Sequence, residues 1–112
     1  MRLSFLGVSL FLALVAPAWA EGPGNYRAQG DGYEGAVTIS QTGKGTWRIS
    51  WLIAGHRYEG YGIGDGQVLA FSFVSRDGNG TVLYAANKQG GYDGVWAYRD
   101  SKSVGYETLT PR

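Results

Sequence analysis

Apolar and polar residues alternate with a period of two along most of the chain after residue 20. The pattern is clearest in the run Thr46–Ile53, in which Trp47, Ile49, Trp51 and Ile53 occupy every second position. Successive side chains of a β-strand point to opposite faces, so this spacing predicts a strand with one apolar face. No stretch of useful length has the 3.6-residue period of an amphipathic helix. The same alternation occurs in 36–40, 69–73 and 92–99.

Glycine and Asx residues separate these runs at short, regular intervals. They supply the positive φ angles that tight hairpins require. The turn signals are Gly30-Asp31-Gly32, Gly43-Lys44-Gly45, Ala54-Gly55, Gly64-Asp65-Gly66, Asp77-Gly78-Asn79-Gly80, Gly90-Gly91 and Asp100-Ser101-Lys102. They predict strands near residues 25–30, 33–42, 45–54, 56–63, 66–75, 81–89, 91–99 and 103–110.

Short turns between all eight strands predict an antiparallel meander, because a parallel crossover needs a longer connection. An open meander leaves two exposed edges, and eight strands are enough to close a barrel filled by its own side chains. We therefore expect an all-β fold, a small up-and-down barrel of the calycin or avidin kind, in preference to an open sandwich. Its interior is expected to be a solid core with little room for a ligand. The predicted interior aromatic residues are Tyr33, Trp47, Trp51, Tyr58, Phe71, Phe73, Tyr84 and Trp96.

Composition supports a single β domain. The chain has 112 residues and 19 glycines, which argues against a helical bundle, because each glycine inside a helix costs about 1 kcal/mol relative to alanine. Eight tyrosines and four tryptophans argue against disorder. The chain has no cysteine, which excludes disulfides and thiolate metal sites. We expect residues 21–112 to form one barrel domain.

Residues 1–20 have the pattern of a secretory signal peptide. Arg2 supplies a positive start, Leu3–Val15 is an apolar run too short to span a bilayer, and Ala16–Ala20 ends in small residues that suit cleavage. We expect cleavage after Ala20 and a periplasmic or secreted bacterial protein. The alternative, a retained membrane anchor, would need a longer apolar run.

Charge is balanced and dispersed beyond this leader. Without Arg2, the ten Lys and Arg residues fall to nine, which equals the number of Asp and Glu residues. Nucleic-acid binding needs a concentrated basic surface, and membrane association needs a basic amphipathic helix. Neither pattern is present, so we expect no nucleic-acid partner and no membrane insertion after cleavage.

An aromatic–acid–glycine motif occurs three times, as Tyr33-Glu34-Gly35, Tyr58-Glu59-Gly60 and Tyr92-Asp93-Gly94. In a strand, the Tyr and Gly of each copy point one way and the acid points the other. Because a glycine lets a ring of the neighbouring strand cover bare backbone, the motif predicts a packing device. The alternative is an outward acidic patch, which requires all three strand starts to lie at one rim.

Glu107 is the charged residue of greatest chemical interest. In strand alternation it shares a face with Leu109, so an inward Leu109 places Glu107 inside the barrel. A buried carboxylate needs partners, since desolvating a lone charge costs several kcal/mol. Tyrosine hydroxyls, indole N–H groups or an arginine could supply them. We expect a buried polar clamp that joins the last strand to the first, with a ligand anchor as the alternative.

Other chemical motifs are weak. His56 is the single histidine and follows the Ala54-Gly55 turn, so we expect it to be exposed and expect no metal site. Asp77–Thr81 begins like a calcium loop, but Lys88 stands where the loop needs its bidentate Glu, which predicts a plain hairpin. A carboxylate pair for glycoside hydrolysis needs a cleft that so small a domain has little surface to build. We therefore expect no catalytic residue, no cofactor and no enzyme.

Short β motifs recur from Tyr26 to Leu109. They are Y-x-G-x-V-x-I at Tyr33–Ile39, G-x-W-x-I-x-W at Gly45–Trp51, Y-x-G-x-G at Tyr58–Gly62, L-x-F-x-F at Leu69–Phe73, G-x-W at Gly94–Trp96 and G-x-E-x-L at Gly105–Leu109. In these motifs the chain resembles a family of small secreted bacterial β proteins, largely uncharacterised, some of which carry a fibronectin-binding label. The resemblance implies a secreted, non-catalytic domain and transfers no active-site residue.

The leading functional prediction is a binding module for a protein or extracellular-matrix component. Leu52, Tyr61 and Ile63 are expected to be exposed apolar residues of the barrel wall, and Arg57 with Tyr61 would suit an interface if adjacent. One alternative is a periplasmic hydrolase inhibitor that inserts a loop such as 76–80 or 99–103 into an enzyme. The other is a calycin-like carrier of a small ligand, bound at Glu107 and the inner Tyr and Trp side chains. A cavity beside Glu107 would favour the carrier.

Overall fold

The computed structural model describes residues 22–112, and the predicted signal peptide lies outside this range. The described chain consists of eight β-strands and their connections, without a helix. The strands are β1 (Gly24–Gly30), β2 (Tyr33–Gly43), β3 (Thr46–Ile53), β4 (His56–Gly64), β5 (Val68–Ser75), β6 (Gly78–Ala86), β7 (Tyr92–Tyr98) and β8 (Gly105–Pro111).

Each strand pairs antiparallel with the next, and β8 pairs with β1, so the sheet closes on itself. The closing pair runs from Tyr26 opposite Pro111 to Gly30 opposite Glu107. Closure leaves neither the first nor the last strand as an exposed edge, which matters in a small domain without disulfides. The prediction of an eight-stranded up-and-down barrel is confirmed.

One strand begins earlier than the turn signals predict. β6 starts at Gly78, because Ser75 pairs with Gly78 across the two-residue turn 76–77. A tight hairpin needs only two residues, so the remaining glycine and asparagine of that cluster lie within the strand. The predicted loop 76–80 is therefore mostly β-strand. The other segment considered for insertion into an enzyme, 99–103, does lie in the connection between β7 and β8.

Alternate residues of the strands point into the barrel and form a mixed core. Its aliphatic members are Ala28, Val37, Ile39, Ile49, Leu69, Val82 and Leu109, and its aromatic members are Tyr26, Trp47, Trp51, Phe71, Phe73, Tyr84 and Tyr92. Most of the aromatic residues predicted inside belong to this buried set. The remaining three, Tyr33, Tyr58 and Trp96, are half-buried.

The two ends of the barrel differ in their connections. One end, here called the closed end, carries the β2–β3, β4–β5 and β6–β7 connections together with both ends of the described chain. The opposite end, here called the open end, carries the β1–β2, β3–β4 and β5–β6 turns and the β7–β8 loop.

Three aromatic side chains seal the closed end by donating hydrogen bonds to main-chain carbonyls. The bonds run from Trp47 Nε1 to Gly64 (2.9 Å), from the Tyr26 hydroxyl to Gly22 (2.9 Å) and from the Tyr92 hydroxyl to Gly66 (2.6 Å). A Cβ atom at Gly22 would lie 2.6 Å from the Trp47 ring, so the chain passes directly over the indole. The polar atoms of these rings are thus occupied by the protein's own backbone.

Candidate functional site

A pocket of about 300 Å³ occupies the open end of the barrel. Seven rings contribute to its walls, those of Tyr33, Trp51, Tyr58, Phe73, Tyr84, Trp96 and Tyr98. Its volume lies at the lower limit of the range typical of small-molecule sites. The expectation of a solid core is therefore wrong at this end, where rings line the barrel wall and leave space between them.

The rings of this pocket support one another edge to face. Trp51 packs against Phe73 with centroids 5.5 Å apart, and Phe73 packs against Tyr98 at 5.8 Å. The series continues from Tyr98 to Trp96 at 5.7 Å and from Trp96 to Tyr33 at 6.5 Å. Edge-to-face pairs are favourable arrangements of aromatic quadrupoles, so neighbouring rings hold each other against the wall.

Glu107 faces inward on β8, as the alternation with Leu109 predicted, and only 5% of its surface is exposed. Three neutral donors converge on its carboxylate. Oε1 accepts a hydrogen bond from the Tyr33 hydroxyl (2.7 Å). Oε2 accepts one from the Trp51 indole N–H (3.2 Å) and a second from the Tyr84 hydroxyl.

These bonds connect more distant strands than the sequence suggested. The predicted clamp was to join β8 to β1, whereas the donors to Glu107 come from β2, β3 and β6. Glu107 forms no ion pair within residues 22–112. The carboxylate is therefore stabilised by hydrogen bonds from neutral groups, and its negative charge is not balanced by a neighbouring cation.

Two glycines make room for this arrangement. Glu107 lies opposite Gly30 on β1 and opposite Gly94 on β7. A Cβ at Gly30 would lie 2.2 Å from the Tyr33 ring, and one at Gly94 would lie 2.5 Å from the Tyr84 ring. Each ring thus covers bare backbone beside the carboxylate to which its hydroxyl donates, and a side chain at either glycine would displace it.

The tyrosines of the cluster are held in the protonated form. Burial raises the pKa of the Tyr33 and Tyr84 hydroxyls well above the ordinary value, and the charge and hydrogen bond of Glu107 raise it further. Both hydroxyls therefore remain donors across the neutral pH range.

A third tryptophan brings an unused donor to the pocket. The Trp96 ring lies beside that of Tyr33, with centroids 6.5 Å apart, and its indole lowers the pKa of the Tyr33 hydroxyl against the larger effects of burial and Glu107. Trp96 Nε1 is nevertheless buried without a hydrogen bond of ordinary geometry inside the described part of the chain. A bound molecule with an oxygen acceptor could satisfy it.

The residues predicted for partner recognition lie on the outer wall, away from the pocket. Tyr61 and Ile63 point outward from β4 and are 70% and 66% exposed. Arg57, on the same face, donates to Ser50 of β3 at 3.0 Å. Arg57 and Tyr61 are separated by four residues, roughly 13 Å along a strand, so the adjacent pair considered from the sequence does not form.

An apolar row crosses this outer wall from β4 to β8. Ile63 pairs with Ala70, Ala70 with Leu83, Leu83 with Val95, and Val95 with Tyr106. Leu83 is 48% exposed and Tyr106 66%. Ile63 is the one member of this row that was predicted as a partner-binding residue, because alternation predicts the outward face of a strand but not which residues of other strands lie beside it.

The three acid-containing motifs do not meet. Glu34 and Glu59 lie near strand starts at the open end, whereas Asp93 begins β7 at the closed end. The acidic-patch alternative is therefore wrong, because alternate strands of a meander start at opposite rims. The packing interpretation is confirmed at Gly94, whose backbone is covered by the Tyr84 ring.

His56 is exposed, as its position beside the β3–β4 turn predicted. Residues 22–112 contain no group of three His, Cys, Asp or Glu side chains close enough to hold a metal ion. No helix in the same range has the length and apolar character needed to cross a membrane.

No family model, curated protein or solved structure matches this chain. The family resemblance drawn from the short motifs therefore stays a prediction.

Proposed function

We propose that this protein is a non-catalytic carrier or receptor of a small organic molecule, which binds in the pocket at the open end. The observation that carries the proposal is the pocket of about 300 Å³ beside the buried carboxylate of Glu107. Small-molecule sites are typically concave and apolar, with a few polar groups that fix orientation. The aromatic rings supply the apolar surface here, and Glu107 and Trp96 Nε1 supply the polar groups.

The unfavourable free energy of burying a carboxylate at this site also supports the proposal. A buried carboxylate with neutral partners contributes less to stability than a well-packed apolar core would. The remainder of the barrel has an apolar interior. A binding role gives a reason for a charge at this position that packing alone does not.

The test is protein-detected NMR with single-ring probes of each charge: benzyltrimethylammonium, benzyl alcohol and phenylacetate. We expect at least one probe to shift the indole N–H signals of Trp51 and Trp96 while leaving that of Trp47, at the closed end, unchanged. Ile53→Trp, which fills the pocket, should weaken binding at least about tenfold. Ile63→Trp, the same substitution on the outer wall, should leave it intact. If no probe shifts the pocket signals at millimolar concentration, the proposal fails.

A second candidate function is recognition of a protein or matrix component through the outer apolar row. The row spans five strands, roughly 19 Å at the usual strand spacing, which fits a protein surface better than a small molecule. Immobilised fibronectin is the partner to test first, because of the family resemblance. Saturable binding that is lost in Ile63→Lys and kept in Glu107→Gln would support this candidate. Binding unaffected by Ile63→Lys would exclude the row.

A further inference from the structure

The charged side chains that line the pocket are all acidic. They are Glu107 in the wall and Asp31 in the β1–β2 turn at the rim, and no Lys or Arg lines the pocket within residues 22–112. A carboxylate in a site of low polarity attracts a cation much more strongly than it would in water, and it repels an anion. The charge of the pocket therefore points to a positively charged ligand.

One basic residue of the rim, Arg76, has an acidic neighbour, Asp77, in the same turn. Both occupy the β5–β6 turn near Tyr58. Burial is the main cause that raises the pKa of the Tyr58 hydroxyl, and among the smaller effects Asp77 raises the pKa whereas Arg76 lowers it. The charges of Arg76 and Asp77 therefore act in opposite directions on that side of the rim. Among the described residues, none that lines the pocket carries a positive charge to oppose the acidic charge inside it.

The rings provide a second, independent attraction. An organic cation placed over an aromatic face interacts favourably with the ring quadrupole, and groups of several rings are a known means of holding alkylated ammonium ions. The pocket has tyrosine and tryptophan rings from five strands, those of Tyr33, Trp51, Tyr58, Tyr84, Trp96 and Tyr98. Tryptophan gives the strongest interaction of this kind, and two tryptophans line the space.

Occupied acceptors on Glu107 favour an alkylated ammonium over a primary amine. A carboxylate has about four lone-pair sites that can accept hydrogen bonds. Three hydrogen-bond donors of the protein already occupy sites on Glu107. A primary ammonium needs three acceptors to replace its water. An ammonium ion whose nitrogen carries methyl or other alkyl groups needs few or none, and its alkyl groups suit the aromatic wall.

Resting on the proposed carrier function, we infer that the ligand is a small alkylated ammonium ion, held by the aromatic rings with Glu107 and Asp31 as its counter-charges. The buried N–H of Trp96 provides a donor for an oxygen atom on such a ligand. Choline is therefore a suitable probe, since it combines a trimethylammonium group with a hydroxyl oxygen.

The experiment compares choline with 3,3-dimethylbutan-1-ol, which has the same shape but carbon in place of the charged nitrogen. Calorimetry and NMR titration of the full protein at 0.15 M salt should show choline binding at least about tenfold more tightly, which corresponds to about 1.4 kcal/mol. Asp31→Asn should weaken choline binding about two- to fivefold. Asp77→Asn, which makes the same change of charge at the same end outside the pocket, should leave it unchanged.

Three outcomes separate this inference from the proposed function. Tighter choline binding that Asp31→Asn reduces supports both. Equal or tighter binding of the uncharged alcohol, or of phenylacetate, overturns the inference about charge and leaves the carrier function standing. If neither these probes nor the single-ring set bind, both fail. Glu107→Gln, where it folds, should bring the affinities for choline and its uncharged analogue close together.

Discussion

The two ends of this barrel use the same kinds of side chain in opposite ways. At the closed end, the N–H and hydroxyl groups of Trp47, Tyr26 and Tyr92 donate to main-chain carbonyls, which hold the chain across the opening. At the open end, those of Trp51 and Tyr84 donate to a carboxylate, and the rings beside them leave a pocket. Aromatic residues thus seal one end when their partners are backbone atoms and prepare a site at the other when their partner is a charge.

Alkaline pH should have the largest effect on stability, because it acts on buried tyrosines at both ends of the barrel. Burial, as the main cause, raises the pKa of Tyr92 at the closed end and of Tyr33 and Tyr84 at the open end. Below the ordinary tyrosine pKa of about 10, both folded and unfolded states are protonated and stability is fully present. Above it the unfolded chain ionises first, so stability falls as the pH rises towards the folded-state values.

Stopped-flow absorbance at 295 nm together with circular dichroism tests this expectation. The buried tyrosines should ionise at the same moment as the barrel unfolds. Ionisation of all eight tyrosines of the chain with the circular dichroism spectrum unchanged would contradict it.

Truncating one aromatic residue at each end should separate sealing from binding. Trp47→Ala leaves a large cavity and frees the Gly64 carbonyl, so we expect a loss of about 3–5 kcal/mol in the free energy of unfolding. Tyr58→Ala removes a half-buried ring from the rim, so we expect about 1 kcal/mol or less and a clear loss of ligand affinity. Urea denaturation measures the first quantity and titration the second. Equal destabilisation by the two substitutions would contradict the distinction between a sealing end and a binding end.

Replacing the buried carboxylate should have an intermediate effect. Glu107→Gln keeps the shape but turns one acceptor into a donor that faces other donors, and hydrogen bonds to a charged group contribute more than neutral ones. Relief from burying a charge offsets part of that loss. We expect a net loss of about 2 kcal/mol, with less elevation of the Tyr33 pKa and no change at Tyr92. The control is Glu59→Gln, the same substitution at an exposed position, which should change stability by less than about 0.5 kcal/mol.

The smallest effect concerns the rim. Ala54 has a φ of 52° and Gly55 a φ of 80°, so the β3–β4 turn places a non-glycine residue in the left-handed region. Asn tolerates this conformation better than Ala, and Asn-Gly is the preferred sequence of such a turn. Ala54→Asn should stabilise the protein by about 0.5–1 kcal/mol, measured from the urea midpoint, without altering ligand binding. A loss of stability would show that the turn is not strained.

Much of the fold was predictable because alternation and turn residues are local signals. The alternating run around Trp47 and Trp51 is enough to predict the strand that contains it, and the Ala54-Gly55 pair is enough to predict the hairpin turn at that point. The inward direction of Glu107 followed in the same way from its spacing to Leu109.

The pocket was not predictable, because alternation gives the direction of a side chain but not its height along the barrel. Trp47 and Trp51 share one face of one strand, yet the first seals the closed end and the second lines the pocket. Their heights depend on the register of all eight pairs. Gly30 and Gly94 are a signal that reasoning from the sequence missed, because only the register shows that both lie opposite Glu107.

The position of Glu107 on the last strand has a consequence for biosynthesis. Its partner Tyr33 lies 74 residues earlier in the chain, and its neighbours Gly30 and Gly94 flank it only after β8 has paired with both β1 and β7. A nascent or C-terminally shortened chain therefore lacks the charge on which recognition is proposed to depend, however well its first seven strands pair. Competence to bind would be acquired only once β8 has been synthesised and has paired with both of its neighbours.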